Sequence, residues 1–377
     1  MSELAVFHEK KVKPECVYFG TCGGCAFQDL EYAAQLELKH KSVEEALSRH
    51  CEAAFPAMPK QSKTEIACGA ALLRGASSAL RPPRNDATAA DFKVFPTLPS
   101  PKPFHYRHMI ALSVRRRQNQ LHLCFVGNNR RTYIPIESCP IADERINQFL
   151  PEALGKLEAL PPERKFHTSQ VVLRIGDDGE VVTSLRPDRG RKLECTVGGK
   201  HFSYSISSFF QNNFSILESF IETVRSFLEP TNGTLFDLYS GVGFFSILLS
   251  DVYERIVGIE EGYEAVALSK TNAERNGVKN VSFLEGKVET LLPELISKAQ
   301  KPLHVIVDPP RIGLKPEVIK CLNQLPVEKL VYVSCNLEAL KRDLELLGAR
   351  FQIIQVQPLD LFPQTKHVET IVLLQPR

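Results

Sequence analysis

From residue 202 onward, short apolar runs alternate with segments whose apolar residues recur at helical spacing. This alternation is typical of a mostly parallel sheet covered by helices. The apolar runs predict seven strands, at 234–239, 255–260, 281–285, 304–308, 330–334, 351–358 and 368–375. The helical spacing predicts helices at 244–250, 263–276, 288–298 and 337–346, and Gly277 directly after the second of them is a common helix end.

The connection between the last two predicted strands sets their direction. Only residues 359–367 join them, which is too short for the crossover helix that parallel strands require. We therefore expect an α/β domain at 201–377 with a seven-stranded mixed sheet whose last strand is antiparallel. An otherwise parallel sheet with such a reversed strand resembles the Rossmann-like fold of S-adenosylmethionine-dependent methyltransferases.

Before residue 200 the pattern differs and predicts three smaller parts. Residues 1–60 are a cysteine-rich segment with a helix at 30–49, and residues 61–103 are a loop insertion rich in Pro and Ala with little periodicity. Residues 104–200 are a small β-rich module. Its strands are predicted at 106–117, 121–126, 171–175 and 181–185.

Composition narrows the class of protein. The chain has 377 residues, 43% of them hydrophobic, which is enough for two or three domains with sizeable cores. Its most apolar window, 235–249, is interrupted by Asp237, Gly241 and Gly243 and is too short to cross a membrane. Ten cysteines without a signal-peptide layout favour a reducing compartment, where clustered cysteines bind metal or react more often than they form disulfides. We expect a cytoplasmic, monomeric protein with no membrane partner.

The net charge of +2 conceals a local basic region. Residues 74–134 contain eleven Lys or Arg and only two Asp. Within them, arginines at 115–117 and 130–131 alternate with aromatic residues such as Phe125 and Tyr133, a combination that suits phosphate contacts and base stacking. The region predicts RNA as a partner. A solvated strand edge is the alternative.

A glycine-containing loop follows the first predicted strand of the C-terminal domain. Its sequence, Asp-Leu-Tyr-Ser-Gly-Val-Gly at 237–243, places glycines where the backbone must turn tightly beside a ligand. No third glycine follows at dinucleotide spacing, so S-adenosylmethionine is better supported than a pyrophosphate ligand. Glu260 ends the next strand, where a carboxylate can accept hydrogen bonds from ribose hydroxyls. The alternative is a helix cap made by Glu260 and Glu261.

Three further segments are predicted to meet at one edge of the sheet. They are Asp-Pro-Pro-Arg at 308–311, Ser-Cys-Asn at 334–336 and His-Val-Glu at 367–369. In an open α/β sheet the ligand crevice lies beyond the carboxyl ends of the strands. A thiol there, on Cys335, is a candidate nucleophile. The alternative is a buried, inert cysteine.

Together with Phe-Phe-Gln-Asn at 209–212, these segments resemble the RNA uracil-C5 methyltransferase family over residues 202–377. C5 of uracil is too poor a nucleophile to take a methyl group from a sulfonium directly, and a thiolate that adds at C6 activates it. The resemblance implies that Cys335 is this nucleophile and that Glu369 is the base that removes the C5 proton.

The resemblance also implies a cofactor site. It places Gln211, Tyr239, Gly241, Glu260 and Asp308 around S-adenosylmethionine. One departure is Ser240, since relatives often have cysteine before this glycine. The loop backbone is expected to contact the cofactor, so the change affects no predicted role.

The role of Arg311 stays open between three functions. Its guanidinium group can stabilise charge on a uracil carbonyl oxygen, hold a phosphate, or form a salt bridge that fixes its loop.

Cysteines at the start of the chain have the spacing of a metal site. Cys16, Cys22 and Cys25 form a C-x5-C-x2-C pattern with glycines between them, and Cys139 is the best candidate for a fourth thiolate. The spacing alone fits zinc as well as iron. The arrangement is similar to the subgroup of the family with a 4Fe-4S cluster, which implies iron–sulfur. The other cysteines are predicted to be packing or surface thiols: Cys51, Cys68, Cys124, Cys195 and Cys321.

The resemblance implies the substrate class but leaves the RNA open. Cluster-bearing bacterial relatives mostly modify 23S rRNA, which makes rRNA the first expectation, and the tRNA T-loop is the second. The alternative from another class is a non-enzymatic iron–sulfur protein that binds RNA.

Overall fold

A computed structural model describes residues 11–53, 92–161, 169–185 and 190–377 of the protein. Its elements up to residue 205 are α1 (Tyr32–Ala53), β1 (Lys93–Val94), β2 (Met109–Arg117), β3 (Gln120–Val126), β4 (Tyr133–Pro135), α2 (Glu144–Glu158), β5 (Gln170–Ile175), β6 (Val181–Thr183), β7 (Lys192–Val197) and β8 (Lys200–Ser205). The later elements are α3 (Leu217–Leu228), β9 (Thr231–Leu238), α4 (Phe244–Leu248), β10 (Tyr253–Glu260), α5 (Tyr263–Arg275), β11 (Val281–Glu285), α6 (Val288–Ser297), β12 (Leu303–Val307), α7 (Pro316–Gln324), β13 (Lys329–Ser334), α8 (Leu337–Leu347), β14 (Phe351–Leu359) and β15 (Glu369–Pro376).

The largest sheet has the strand order β1-β14-β15-β13-β12-β9-β10-β11. Strand β15 runs antiparallel to both β13 and β14, and the other pairs are parallel. The predicted reversal of the last strand is therefore confirmed. Its physical reason is the short 360–368 connection, which can only turn the chain back beside the strand it has just left.

All seven strands predicted for residues 201–377 are present as β9 to β15, and β1, from outside this range, adds an eighth strand at the sheet edge. Lys93 and Val94 pair in parallel with β14, and Leu98 forms a further bridge to Leu359. A two-residue strand is too short to show an alternating pattern. Residues 92–98 thus follow the sheet edge inside a stretch that was predicted as a loop insertion. Residues 61–91 of that stretch lie outside the described residues, and residues 99–103 form no helix or strand.

The central strands are continuous apolar runs because helices cover both faces of the sheet. Every residue of β12 is buried. Ile306 belongs to the buried cluster on the face covered by α3 and α4, while Val305 and Val307 belong to the cluster covered by α6, α7 and α8. Val43 of α1 is also in this second cluster, so the N-terminal helix packs directly against the C-terminal α/β domain.

A second sheet has the order β4-β3-β2-β5-β6, and all its neighbouring strands are antiparallel. Alternate residues of β2, namely Ile110, Leu112 and Val114, are buried against α2, which contributes Ile146 and Leu150 to the same cluster. This alternation is what made the strands of the β-rich module predictable.

Helix α2, which carries Pro151 in its interior, and the β7–β8 hairpin were not predicted. Among the described residues, no helix is both long enough and apolar enough to cross a membrane.

Candidate active site

The carboxyl ends of β9, β10, β12 and β13 lie at one edge of the large sheet because these strands are parallel. Asp308 directly follows β12, and Cys335 directly follows β13. Strand β15 starts at the same edge because it runs in the opposite direction, and its first residue is Glu369. Ser334 pairs with Thr370 across the ladder, so Cys335 and Glu369 lie on neighbouring strands at the same level.

The ionisable groups at this edge influence one another. The pKa of the Cys335 thiol is raised to about 11, first by burial and then by the carboxyl groups of Glu369 and Asp308, while Arg311 opposes the rise. Glu369 is only 3% exposed. Burial, followed by the charge of Asp308, raises its pKa well above the ordinary value. At neutral pH the Cys335 thiol therefore holds its proton, and burial favours the neutral form of the Glu369 carboxyl.

Asp308 couples this group to the buried Asp237. Burial, and then the charge of Asp237, raises the pKa of Asp308 to about 7. Asp237 is fully buried on β9, where its Oδ2 accepts hydrogen bonds from the backbone and side chain of Ser246. Its Oδ1 has no partner among the described residues, and burial raises its pKa to about 6. Asp237 interrupts the most apolar window and begins the 237–243 loop sequence, but no role was predicted for it, although an acid inside an apolar strand is itself a signal of function.

The loop after β9 turns through left-handed backbone conformations. Tyr239 has a φ of 66°, Gly241 of 53° and Gly243 of 88°. A positive φ is costly for tyrosine, and such strain is typical of functional loops. A side chain added at Gly241 would meet no atom within 4 Å, so the space above this turn is open to a ligand.

Glu260 ties this loop to the end of β10. Its Oε2 accepts a hydrogen bond from the Gly241 amide at 3.1 Å, and its Oε1 accepts one from the Gly262 amide at 2.7 Å. Gly262 is the N-cap of α5, so Glu260 also binds the residue at which this helix begins. The same carboxylate borders the open space above Gly241.

A pocket lies between this loop and the segment that precedes α3. It is lined by Phe209, Phe210, Gln211, Tyr239, Ser240, Gly241, Val242, Phe244, Phe245 and Asp308. Four of the five predicted cofactor residues therefore line one cavity, and Glu260 is hydrogen-bonded to its rim. An apolar concavity with a few polar groups is typical of a small-molecule site and fits the adenosine and the charged sulfonium of S-adenosylmethionine. The phenylalanine walls were not predicted.

Helix α8 holds the 308–314 loop in place. Asp343 accepts hydrogen bonds from the Leu314 amide and from the Tyr332 hydroxyl, both at 2.6 Å. The side chain of Arg342 donates to the carbonyl oxygen of Ile312, and that of Asn336 donates to the carbonyl oxygen of Arg311. The peptide that carries Asp308 and Arg311 thus has a fixed course.

The side chain of Arg311 is exposed and lies beside His367. Its Nη2 is 3.3 Å from Nδ1 of His367, and burial, followed by the charge of Arg311, lowers the pKa of His367 to about 4. Across the described part of the chain Arg311 forms no ion pair, so the salt bridge considered for it is not found there. No separate role was predicted for His367.

The four predicted cluster cysteines are free thiols that lie in one region. Burial raises the pKa of Cys25 to about 11, a hydrogen bond from Gln28 opposes this, and neighbouring Cys139 and Cys22 add to the rise. Burial also raises the pKa of Cys139, to which Cys16 contributes. In the ranges that the structure describes, however, no three Cys, His, Asp or Glu side chains are grouped closely enough to hold a metal ion.

Of the remaining cysteines, predicted to be packing or surface thiols, Cys124, Cys195 and Cys321 are buried and so are packing thiols. The side chains of Cys51 and Cys68 lie outside the described residues.

The basic region divides into an inner and an outer part. Arg107 belongs to the inner part, since it is half-buried and donates to the Tyr106 hydroxyl beside the cysteines. The guanidinium of Arg115 lies 3.5 Å from the centre of the Tyr133 ring. Arg130 and Arg131 are exposed on the loop that bridges to Cys22 through Gly127.

Comparisons with known proteins agree with this geometry. Residues 191–377 match the family model described as tRNA (uracil-5-)-methyltransferase. An uncharacterized RNA methyltransferase of Listeria innocua is 29% identical, with 97% of this chain and 85% of the relative covered. The tRNA (uracil(54)-C(5))-methyltransferase of Schizosaccharomyces pombe is also 29% identical, with 96% of this chain and 65% of the relative covered.

A solved structure shares the fold. It is the tRNA (uracil-54, C5)-methyltransferase of Pyrococcus abyssi in complex with S-adenosyl-L-homocysteine, which aligns with a TM-score of 0.63 at 24% identity. The alignment covers 93% of this chain and 85% of the other. The family match speaks against the alternative of a non-enzymatic RNA-binding protein. With its family-model match over residues 191–377, the chain belongs to the RNA (uracil-C5) methyltransferase family and is an enzyme of that class.

Proposed function

We propose that this enzyme methylates C5 of a uridine in RNA through a covalent bond between Sγ of Cys335 and C6 of the uracil. The observation that carries the proposal is the pairing of Ser334 with Thr370, which sets Cys335 beside Glu369 at the edge that also holds Asp308. One uracil ring can thereby contact a thiol, a buried carboxyl group and the cofactor pocket.

The chemistry assigns a separate task to each group. The thiolate of Cys335 adds to C6, and the electron pair of the C5–C6 double bond moves toward the C4 carbonyl to give an enolate with a nucleophilic C5. S-adenosylmethionine, when bound, would supply the methyl group that C5 takes up, and the sulfur–methyl bond would break to leave S-adenosylhomocysteine. Glu369, once ionised, removes the proton from C5, and the returning electron pair expels the Cys335 thiolate. The thiolate and the double bond are restored at the end.

The first step of this reaction depends on the protonation state of Cys335. The Cys335 thiol must lose its proton before it attacks, and its raised pKa disfavours this loss. The carboxyl groups of Asp308 and Glu369 contribute to the rise. A cationic ligand beside Asp308 would offset their charge and favour the thiolate. We therefore expect cofactor binding to prepare the nucleophile.

We propose that Gln211, Tyr239, Gly241, Glu260 and Asp308 hold S-adenosylmethionine. Support comes from the shared pocket and from the open space above Gly241. Glu260 already accepts two backbone hydrogen bonds, and lone pairs on both oxygens remain for ribose hydroxyls.

For Arg311 we propose contact with the target nucleotide, at a uracil carbonyl oxygen or at a phosphate. Its exposure and the lack of an ion-pair partner among the described side chains support this role. The bond from Asn336 to the Arg311 carbonyl fixes the backbone that carries this exposed side chain.

We further propose that Cys16, Cys22, Cys25 and Cys139 hold a 4Fe-4S cluster, with zinc as the alternative. The four free thiols in one region support this, since thiolates are the ligands of both. Anaerobic purification followed by iron, sulfide and zinc analysis tests it. Four irons and four sulfides per chain are expected, and zinc without iron would contradict the cluster.

The surface proposed to bind RNA consists of the β2–β3–β4 strands with Arg115, Arg116, Arg117, Arg130 and Arg131. The stacked pair of Arg115 and Tyr133 and the exposed Arg130 support this placement. Loop 126–132 is joined to the cysteine segment by hydrogen bonds from the Gly23 amide to Val126 and from the Asn128 amide to Thr21. The cysteine region would therefore act by fixing an RNA-binding loop.

The proposed substrate is 23S rRNA, on the resemblance to cluster-bearing bacterial relatives. Transfer RNA is the second candidate, and the names of the Schizosaccharomyces pombe and Pyrococcus abyssi relatives favour it. Mapping of 5-methyluridine in rRNA and tRNA from cells with and without this gene separates the two. Loss of a 23S rRNA site supports the first, loss of a tRNA site the second, and loss of neither would contradict the proposed reaction.

A further inference from the structure

Arg174 is a buried cation in β5 of the five-stranded sheet. Its side chain is only 2% exposed. Its Nη1 donates to the carbonyl oxygens of Ser205 at 2.9 Å and Ser208 at 2.6 Å, and its Nη2 donates to the carbonyl oxygen of Phe210 at 3.2 Å. One planar guanidinium thus binds three points of a segment that is more than thirty residues away in the sequence.

No carboxylate accompanies this cation among the residues that the structure describes. Burial lowers the pKa of Arg174 to about 10. A buried charge without an opposite charge is costly and persists only where other groups satisfy it. Here the three carbonyl oxygens do so, together with the ring of Tyr204, whose centre lies 4.4 Å from the guanidinium carbon.

The bound segment leads directly into the wall of the cofactor pocket. Phe210 and Gln211 line that pocket. The Phe210 ring is stacked on Tyr204 at 4.5 Å with an interplanar angle of 5°. Arg174 therefore holds the Phe210 backbone directly and the Phe210 ring through Tyr204. Tyr204 in turn donates to the carbonyl oxygen of Ile175, the neighbour of Arg174 in β5.

A second anchor holds the other end of the same wall. The side chain of Asn212 accepts a hydrogen bond from the Met109 amide at 2.6 Å and donates one to the Met109 carbonyl oxygen at 3.0 Å. Met109 begins β2 and pairs with Arg174 across the ladder. Both ends of the 208–212 segment are therefore attached to adjacent strands of one sheet.

We propose that Arg174 is a positioning residue for cofactor binding, which holds Phe210 and Gln211 in place so that the β-rich module builds one wall of the S-adenosylmethionine pocket. This inference rests on the proposed cofactor site. The strands that present the outer arginines and the strand that fixes this wall belong to the same sheet, so the module that faces RNA also shapes the cofactor pocket.

Two substitutions test the role of Arg174 in the full-length protein. Arg174→Met removes the three hydrogen bonds at similar volume, and Arg174→Lys keeps the charge but loses the planar fork of donors. Arg275→Met is the matched control, because Arg275 binds Glu194 on the surface and does not line the pocket. The probe is S-adenosylhomocysteine, with its Kd measured by calorimetry beside the Kd for an unmodified RNA transcript.

The expected result separates positioning from general damage. Arg174→Met should raise the Kd of S-adenosylhomocysteine and the KM for S-adenosylmethionine about tenfold or more, corresponding to the loss of about one charged hydrogen bond. Saturating kcat and the Kd for RNA should change less than about threefold, and Arg174→Lys should have an intermediate effect. Added guanidinium should partly restore cofactor affinity in Arg174→Met. Arg275→Met should match the wild type.

If either Arg174 variant folds and binds S-adenosylhomocysteine with wild-type affinity, the inference is wrong. If Arg174→Met does not fold, the affinity of Arg174→Lys is the test. An equal loss of RNA affinity would also count against it, since that indicates a general structural role. The variant Gln211→Ala separates failure of the proposed role of Arg174 from failure of the proposed cofactor pocket. If Gln211→Ala weakens S-adenosylhomocysteine and Arg174→Met does not, only the role of Arg174 fails. If neither weakens it, the proposed pocket fails.

Discussion

Lys39 of α1 and Asp360, the residue after β14, form an ion pair whose side chains are 1% and 0% exposed. Lys39 also donates to the carbonyl oxygen of Phe362. The side chains of Gln35 and Gln364 bond to each other nearby, and the Ala26 and Phe27 amides donate to the Gln364 carbonyl oxygen. The N-terminal helix and the cysteine segment thus hold the 360–368 loop, which leads into Glu369.

Breaking this ion pair is expected to destabilise the fold strongly. Lys39→Met leaves the Asp360 carboxyl buried without its partner, which typically costs about 3–5 kcal/mol. The double variant Lys39→Met with Asp360→Leu should be closer to the wild type because no lone charge remains. Urea unfolding measures both. A loss below about 1 kcal/mol in the single variant would show that the pair does not anchor the loop.

Substitution of Cys335 is expected to separate binding from catalysis. Cys335→Ala removes the sulfur that adds to C6, so methyl transfer should fall to background while RNA and S-adenosylhomocysteine still bind. Cys321→Ala is the control, since Cys321 is a buried packing thiol on α7 and should retain activity. Transfer of a radioactive methyl group to RNA measures the first effect. Normal turnover in Cys335→Ala would refute its role as nucleophile.

The raised pKa of Cys335 predicts how its reactivity depends on pH. Only the thiolate is alkylated, so the rate of modification by iodoacetamide should rise about tenfold per pH unit and level off near pH 11. Glu369→Gln removes a neighbouring negative charge and should shift the plateau to lower pH. Mass spectrometry of the peptide that contains Cys335 follows the reaction. A plateau below pH 8 would mean that the surroundings do not protect the thiol.

Removal of the proposed base should trap the reaction after methyl transfer. In Glu369→Gln the C5 proton stays in place, so the bond between Cys335 and the methylated uracil cannot break at its normal rate. A protein–RNA adduct should then accumulate on denaturing gels. Glu338→Gln, on the exposed first turn of α8, serves as the control and should form none. Free methylated RNA without an adduct in Glu369→Gln would assign proton removal to another group.

The sheet and its catalytic edge could be predicted because their signals are local. Strands β9 to β15 are apolar runs between polar loops, and their bounds lie within three residues of the prediction. The polarity of parallel strands then brings Asp308 and Cys335 to the same edge. Glu369 joins them because a short loop forces β15 to return beside β13.

Contacts between distant parts of the chain could not be predicted. Lys39 and Asp360 are 321 positions apart, and Arg174 binds carbonyl oxygens whose positions follow only from the fold. Neither Lys39 nor Arg174 lies in a motif, and in a sequence a buried Lys or Arg cannot be told from an exposed one. Strand β1 was missed because two residues show no period, and Pro151 masked the pattern of α2.

The covalent bond at Cys335 is the central claim, and RNA that contains 5-fluorouridine tests it most directly. Fluorine replaces the proton that Glu369 would remove, so methyl transfer should leave the uracil attached to the protein. Incubation with S-adenosylmethionine, protease digestion and mass spectrometry should find the methylated fluorouridine on the peptide that contains Cys335. Methyl transfer to ordinary RNA with no such adduct, or with the adduct on another cysteine, would contradict the proposed mechanism.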